Sequence, residues 1–249
     1  MKVALAISLI AIVIAGSMAF WHYRASARPI ASAIAPLSNG SLQDARADFV
    51  ETKMDSFGYK TSWIALKAKN SSQIADVLKL SDTKPMEWND GVALGYAPPE
   101  ARAGRVFVSG LVDGWYFLRG GIPNPTDNLE SFNRFMIELA AVSPDVQYFI
   151  SHRVSDGYGW VRYRGGKLAR RVIWYNGEAQ LESGRPDDVE SRVVKSWKTF
   201  DDGDGPYTLG PDEDDVLKIA KGWSLDPSSF DRPKASAPIG FVGTWAAQH

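Results

Sequence analysis

The chain predicts an α+β fold: an antiparallel sheet with helices packed on one face, in split βαβ (ferredoxin-like) order plus an extra hairpin, behind an N-terminal transmembrane or signal segment. Three observations predict it. Between Thr61 and Val154 the residue pattern runs strand, helix, strand, strand, helix, strand. Two pairs of β-favouring runs are each split by a two-residue turn, Asp113-Gly114 and Gly165-Gly166. An uncharged apolar run, Val3 to Trp21, precedes everything else.

That run is long enough to cross a hydrocarbon core of roughly 30 Å as a helix and exceeds the usual signal-peptide apolar region of about 7 to 15 residues. It reads as a signal anchor with its amino terminus inside. The alternative is a signal peptide cleaved after Ala27, since Ala25-Ser26-Ala27 has small residues at the two positions a signal peptidase reads. The expected organisation is therefore an anchor or signal at 1–27, a linker rich in Ala, Ser and Pro at 28–40, a single extracytoplasmic domain at 41–230 and a loosely ordered tail at 231–249.

Within the domain, Leu42, Ala45, Phe49 and Val50 share one helical face behind Ser41. Thr61 to Lys67 has strand character and runs into the capping pattern Asn70 to Gln73, ahead of Ile74, Val77 and Leu78. The first hairpin follows, Arg105 to Val112 and Trp115 to Arg119. Asp127 and Glu130 then form a capping box before the apolar stripe Phe132, Phe135, Met136, Leu139 and Ala140. Strand character returns at Val146 to Val154 and continues in the second hairpin, Tyr158 to Arg164 and Lys167 to Tyr175. A short strand is expected at Arg192 to Phe200, and a last helix opens at Pro211 and stops at Gly222.

Composition excludes several chemistries. The chain of 249 residues has no cysteine, which removes disulfides, thiolate metal sites and cysteine nucleophiles. A net charge of -1 argues against a globally basic nucleic-acid binder. Of three histidines, His22 lies by the apolar run and His249 ends the chain, leaving His152 as the one candidate acid or base. Adjacent strand residues point to opposite faces, so Ser151 does not serve His152 as a triad serine. No phosphate-binding loop, nucleophile elbow or paired zinc-ligand motif occurs. Asp201-Asp202-Gly203-Asp204-Gly205 invites a calcium reading, but the EF-hand register fails, placing Pro211 where the bidentate acid belongs. No cofactor and no metal are expected.

The second hairpin offers the candidate partner surface. An uninterrupted two-residue turn would pair Arg164 with Lys167, Arg162 with Ala169 and Trp160 with Arg171 on one face. Val161, Tyr163, Leu168, Val172 and Trp174 would take the other face, with Arg170 needing a partner among them. The candidate binding residues are therefore Trp160, Arg162, Arg164, Lys167 and Arg171, together with the acidic Asp201, Asp202 and Asp204.

Tyr148, Phe149, His152, Arg153 and Val154, in the spacing YFxxHRV, and the run Trp223-Ser224-Leu225-Asp226-Pro227 resemble the motifs of an uncharacterised bacterial exported family, immunity-protein-like and without an established activity. The resemblance implies a domain over about Thr61 to Pro227 and brings no catalytic residue.

Anchor, charge and missing catalytic motifs together point to an envelope-facing, non-enzymatic binding protein. Its expected place is the inner membrane as a single-pass protein, with the domain in the periplasm. The specific expectation is an immunity-type inhibitor that neutralises an antibacterial toxin, with a secreted effector as partner and no nucleic acid. The alternatives are a periplasmic hydrolase using His152 and carboxylates, or a structural module of an envelope complex.

Overall fold

Strand β1 (Thr61–Leu66) is central because both of its faces are apolar: Trp63 and Ala65 point one way, Ile64 and Leu66 the other, and all four are fully buried. In the computed structural model, which describes residues 53–195, 199–201, 206–208 and 210–246, β1 pairs antiparallel with β4 (Tyr116–Gly120) and with β5 (Asp145–His152). Beyond β4 lie β3 (Arg105–Val108), then β11 (Gly240–Thr244), then the edge strand β2 (Ser81–Met86). Beyond β5 lie β6 (Gly157–Arg164), β7 (Lys167–Tyr175) and the other edge strand, β8 (Glu178–Gly184). The result is a nine-stranded sheet, antiparallel throughout, with a separate ribbon of β9 (Thr199–Asp201) and β10 (Pro206–Thr208).

Helices cover both faces, which corrects the expectation of helices on one face only. On one side α1 (Ser71–Val77) and α4 (Leu129–Val142) lay Ile74, Phe132, Phe135, Met136 and Leu139 over Ile64, Leu66 and Tyr148. On the other, α2 (Trp88–Leu94), α5 (Asp188–Val194) and α6 (Glu213–Trp223) cover Trp63, Phe117, Phe149 and Trp160. The physical reason is the pair of apolar faces on the central strands. Burying one large aromatic is worth roughly 1.5–3 kcal/mol, so neither face can be left to water. A further short helix, α3 (Pro99–Arg102), leads into β3.

Local chemistry sets the helix starts. Asn70 accepts from the Gln73 amide at 3.0 Å, as expected, and Asp212 caps α6 from the Asp215 amide at 2.9 Å. At α4 the cap is Asn128, accepting from the Ser131 amide at 2.9 Å, so the box assigned to Asp127 and Glu130 lies one residue early. The Asp113-Gly114 turn has both residues at positive φ, 47° and 85°, as a type I′ hairpin requires.

Three further expectations are corrected. Of the strand expected at Arg192 to Phe200, Arg192 to Val194 instead ends helix α5 (Asp188–Val194), because Asp187 caps the Val189 and Glu190 amides and turns Val193 onto the core, while Thr199 and Phe200 do lie in strand β9. Gly222 does not end the last helix, which runs through Trp223; a β-carbon at Gly222 would meet Val189 at 2.3 Å, so this glycine lets α5 approach α6. The segment after Phe230 is no loose tail, since β11 inserts between β2 and β3 and Trp245 packs edge-on against Phe135 at 4.9 Å. The apolar run 3–21, the linker and the helix expected behind Ser41 lie outside the described residues. No helix among the described residues is long and apolar enough to cross a membrane.

Candidate functional site

The second hairpin turns at Gly165-Gly166 as expected, with φ of 53° and 79°. Its register then breaks. Arg164 pairs with Lys167 and Tyr163 with Leu168, but Arg162 faces Arg170 and Trp160 faces Val172, because a bulge absorbs Ala169. One extra residue exchanges the faces of every later side chain on β7.

The basic face expected there is dismantled, by this bulge on β7 and by the helix cover over the β6 side chains. Trp160 is fully buried against the α6 side of the sheet. Arg162 is buried beneath Trp223, its guanidinium 4.9 Å from that ring, and grips Asp145 through Nε at 2.9 Å and Nη2 at 2.6 Å. Arg171 is buried on the opposite face and donates to Asn133 at 2.5 Å. Arg170 has the partners it needs, donating from Nε to Glu190 at 2.8 Å and from Nη2 to Glu182 at 2.9 Å. Of the hairpin candidates only Arg164 and Lys167, at the turn, are exposed. Asp201 lies in β9, while Asp202 and Asp204 lie outside the described residues. Among the described residues no group of three or more His, Cys, Asp or Glu is arranged to hold a metal.

The side chains left free for chemistry gather elsewhere, in a cleft of about 490 Å³ at the end of the sheet where β1 begins and β5 ends. Ser62 and Thr61 come from β1, and Tyr148, Ile150 and His152 from β5. Gly95, Tyr96 and Arg102 reach in from the segment that carries α2 and α3, and Asn124 and Asp127 from the approach to α4. Lys60 and Tyr175 complete it. Asp127 alone among the lining residues is a carboxylate.

Several of these groups are held firmly. The Nδ1 of His152 lies 2.9 Å from the Ser155 hydroxyl, which in turn lies 3.0 Å from the Tyr175 oxygen. Gly157 makes room for that tyrosine, since a β-carbon there would come within 2.6 Å of its ring. Burial drives the Tyr148 phenol well above the ordinary range, with the nearby Tyr175 and Asp127 adding to the effect and the Ser62 hydroxyl opposing it. Lys60 sits at φ 54°, a left-handed conformation that a residue with a β-carbon takes at a cost of about 1 kcal/mol.

Behind Gly95 and Thr61 lies Arg119, fully buried and without a carboxylate partner among the described residues. Its Nη2 donates to the Thr61 hydroxyl and to the Val92 carbonyl, each at 3.1 Å, while Nε and Nη1 have no hydrogen-bond partner. The guanidinium lies 4.2 Å from the centre of the Phe57 ring and 4.8 Å from that of Tyr96. Burial pushes its pKa down to about 10, with the Tyr96 oxygen acting in the opposite sense and the charge of Arg102 in the same one.

Sequence reasoning found His152 but missed its partner Ser155, together with Lys60, Arg102 and Arg119. One signal was present: Arg119 is a charge inside the otherwise apolar strand run Trp115 to Gly120, and such a residue is either paired or functional. Comparison of the chain with protein-family models, curated proteins and solved structures gives no match to any of them.

Proposed function

We propose that this chain is an envelope-facing, non-enzymatic binding protein whose recognition element is the cleft at the end of the sheet. The observation that carries this reading is the composition of that cleft. Lys60 and Arg102 have no ion-pair partner among the described residues, and they stand with three tyrosines around a single carboxylate. Such a lining suits an anionic ligand. The serine that contacts His152 is itself engaged by Tyr175 and is not part of the lining.

In its most specific form the protein is an immunity-type inhibitor, anchored in the inner membrane by the run 3–21 with its domain in the periplasm, that neutralises a secreted antibacterial effector. The resemblance of the YFxxHRV and Trp223–Pro227 motifs to an immunity-protein-like family supports that form. The neighbour order β3-β4-β1-β5, with α1 and α4 over one face, supports reading that block as a ferredoxin-like unit extended on both sides.

Co-purification of the full-length chain with the product of the neighbouring gene tests the specific claim, together with the toxin sensitivity of a deletion strain. Stable capture that is lost in the Lys60→Gln, Arg102→Gln double variant is expected. Unchanged sensitivity on deletion would sink the immunity role.

A second reading, a periplasmic hydrolase, is favoured by the 2.9 Å contact between His152 and Ser155. Covalent labelling of Ser155 by a fluorophosphonate probe, abolished in His152→Gln, is its expected signature. An unlabelled serine rules out Ser155 as the nucleophile.

A further inference from the structure

Arg119 is expensive where it stands. An isolated charge withdrawn from water costs several kcal/mol even after relaxation, and stacking against aromatic rings returns only about 1–2 kcal/mol. Of the other buried arginines, Arg162 has Asp145 and Arg170 has Glu190, while Arg171 donates to the Asn133 amide oxygen. Arg119 has no carboxylate among the described residues, and its charge lies directly behind two residues that line the cleft, Gly95 and Thr61.

The position of Thr61 extends that charge into the cleft. Its hydroxyl oxygen accepts from Arg119, so its proton is left to donate, and the internal acceptor within reach is the Ser62 carbonyl at a long 3.3 Å. Arg102 is equally underused, with Nη1 reaching only the Gly120 carbonyl at 3.5 Å. Lys60 is exposed and has no ion-pair partner among the described residues. Three cations, Lys60, Arg102 and Arg119, thus act on one cavity against the single charge of Asp127.

We infer that this cleft is an oxyanion site, taking one carboxylate or phosphate group between Lys60 and Arg102, with the Thr61 hydroxyl as a donor that Arg119 orients. Arg119 is a positioning residue, acting through Thr61 and through its field, while Lys60 and Arg102 contact the ligand. The tyrosines Tyr96 and Tyr175 flank the bound group and accommodate whatever carries it. The inference rests on the proposal that the cleft is the binding element and is independent of the identity of any toxin.

Isothermal titration of the full-length chain in detergent micelles tests it, with sodium acetate and inorganic phosphate as probes. Sodium chloride at matched ionic strength and neutral acetamide serve as controls. Saturable binding of acetate, phosphate or both is expected, with none to acetamide; which anion binds more tightly tells a planar carboxylate ligand from a tetrahedral phosphate. Lys60→Gln and Arg102→Gln should each weaken binding about tenfold, the scale of one charge-assisted hydrogen bond. Arg185→Gln, an exposed cation outside the cleft, should leave it unchanged. Arg119→Met should weaken binding without lowering the melting temperature, which separates positioning from a structural role. Equal heats from chloride, or affinities unmoved by Lys60→Gln and Arg102→Gln, overturn the inference. A chain that still captures the neighbouring gene product but binds no oxyanion overturns it alone and leaves the proposed function standing.

Discussion

Gly95 lies so close to the guanidinium of Arg119 that a β-carbon there would sit 2.1 Å from Nη2 and 2.4 Å from Nε. The guanidinium cannot swing aside, because Phe57 and Tyr96 stand against it. Gly95→Ala should therefore destabilise the domain by about 1–3 kcal/mol, the usual cost of overpacking. Arg119→Met removes a charge whose burial outweighs its stacking and should raise stability by about 1 kcal/mol or more. Because the two residues touch, Gly95→Ala should cost less in the Arg119→Met background than in the parent, a coupling that denaturant midpoints of all four proteins would reveal.

Alkaline pH should weaken the fold through Tyr148. Its folded-state pKa lies above the ordinary phenol value because burial disfavours the phenolate. The sign follows from proton binding: above about pH 10 the unfolded chain loses this proton while the folded chain keeps it, so unfolding is favoured progressively as pH rises toward the folded-state value. The contribution is fully present below about pH 10. Denaturation series from about pH 8 to 11 should show stability falling, with a shallower fall in Tyr148→Phe. Tyr158 and Tyr163, also raised by burial, leave a residual slope in that variant.

The buried pair of Arg170 and Glu190 should behave as a unit. Both are buried, and Glu190 comes from α5 to meet an arginine on β7. Glu190→Ala strands that arginine with the more exposed Glu182 and should cost about 3–5 kcal/mol. Replacing both partners by apolar residues, Arg170→Met with Glu190→Leu, should recover most of the loss, since neither charge is then left unpaired. Chemical denaturation of the single and double variants measures both effects.

What the sequence revealed about the fold follows the range of the interactions involved. Asn70 and the turns at Asp113-Gly114 and Gly165-Gly166 act within a few residues, and each appears where the residue pattern placed it. The bulge at Ala169 was not legible, because nothing in the run Lys167 to Tyr175 says which residue drops out of register. That one residue moved Arg171 to the opposite face, while Trp160 and Arg162 on β6 were buried by the unforeseen helix cover of their own face. The strand Gly240 to Thr244 was hidden for another reason: its glycines weaken the β pattern, yet Gly240 and Gly243 are where neighbouring strands approach too closely for a side chain. The cleft combines residues from β1, β5 and β7 with the segments around α2, α3 and α4, so no local window contained it.

Gly222 sets two rules of sequence reading against each other. It lies inside α6, where helix propensity alone favours alanine over glycine by about 1 kcal/mol. Against that, an alanine β-carbon would come within 2.3 Å of a Val189 methyl and 3.2 Å of the Val189 β-carbon. Valine is branched at that carbon and has little rotamer freedom with which to yield, so α5 must shift as a whole. That helix also carries Glu190, whose grip on Arg170 tolerates little displacement. Packing should win: Gly222→Ala is expected to lower stability by about 1–3 kcal/mol despite the better helix former. A gain in the denaturation midpoint would show instead that α5 can move away from α6 without losing the buried pair.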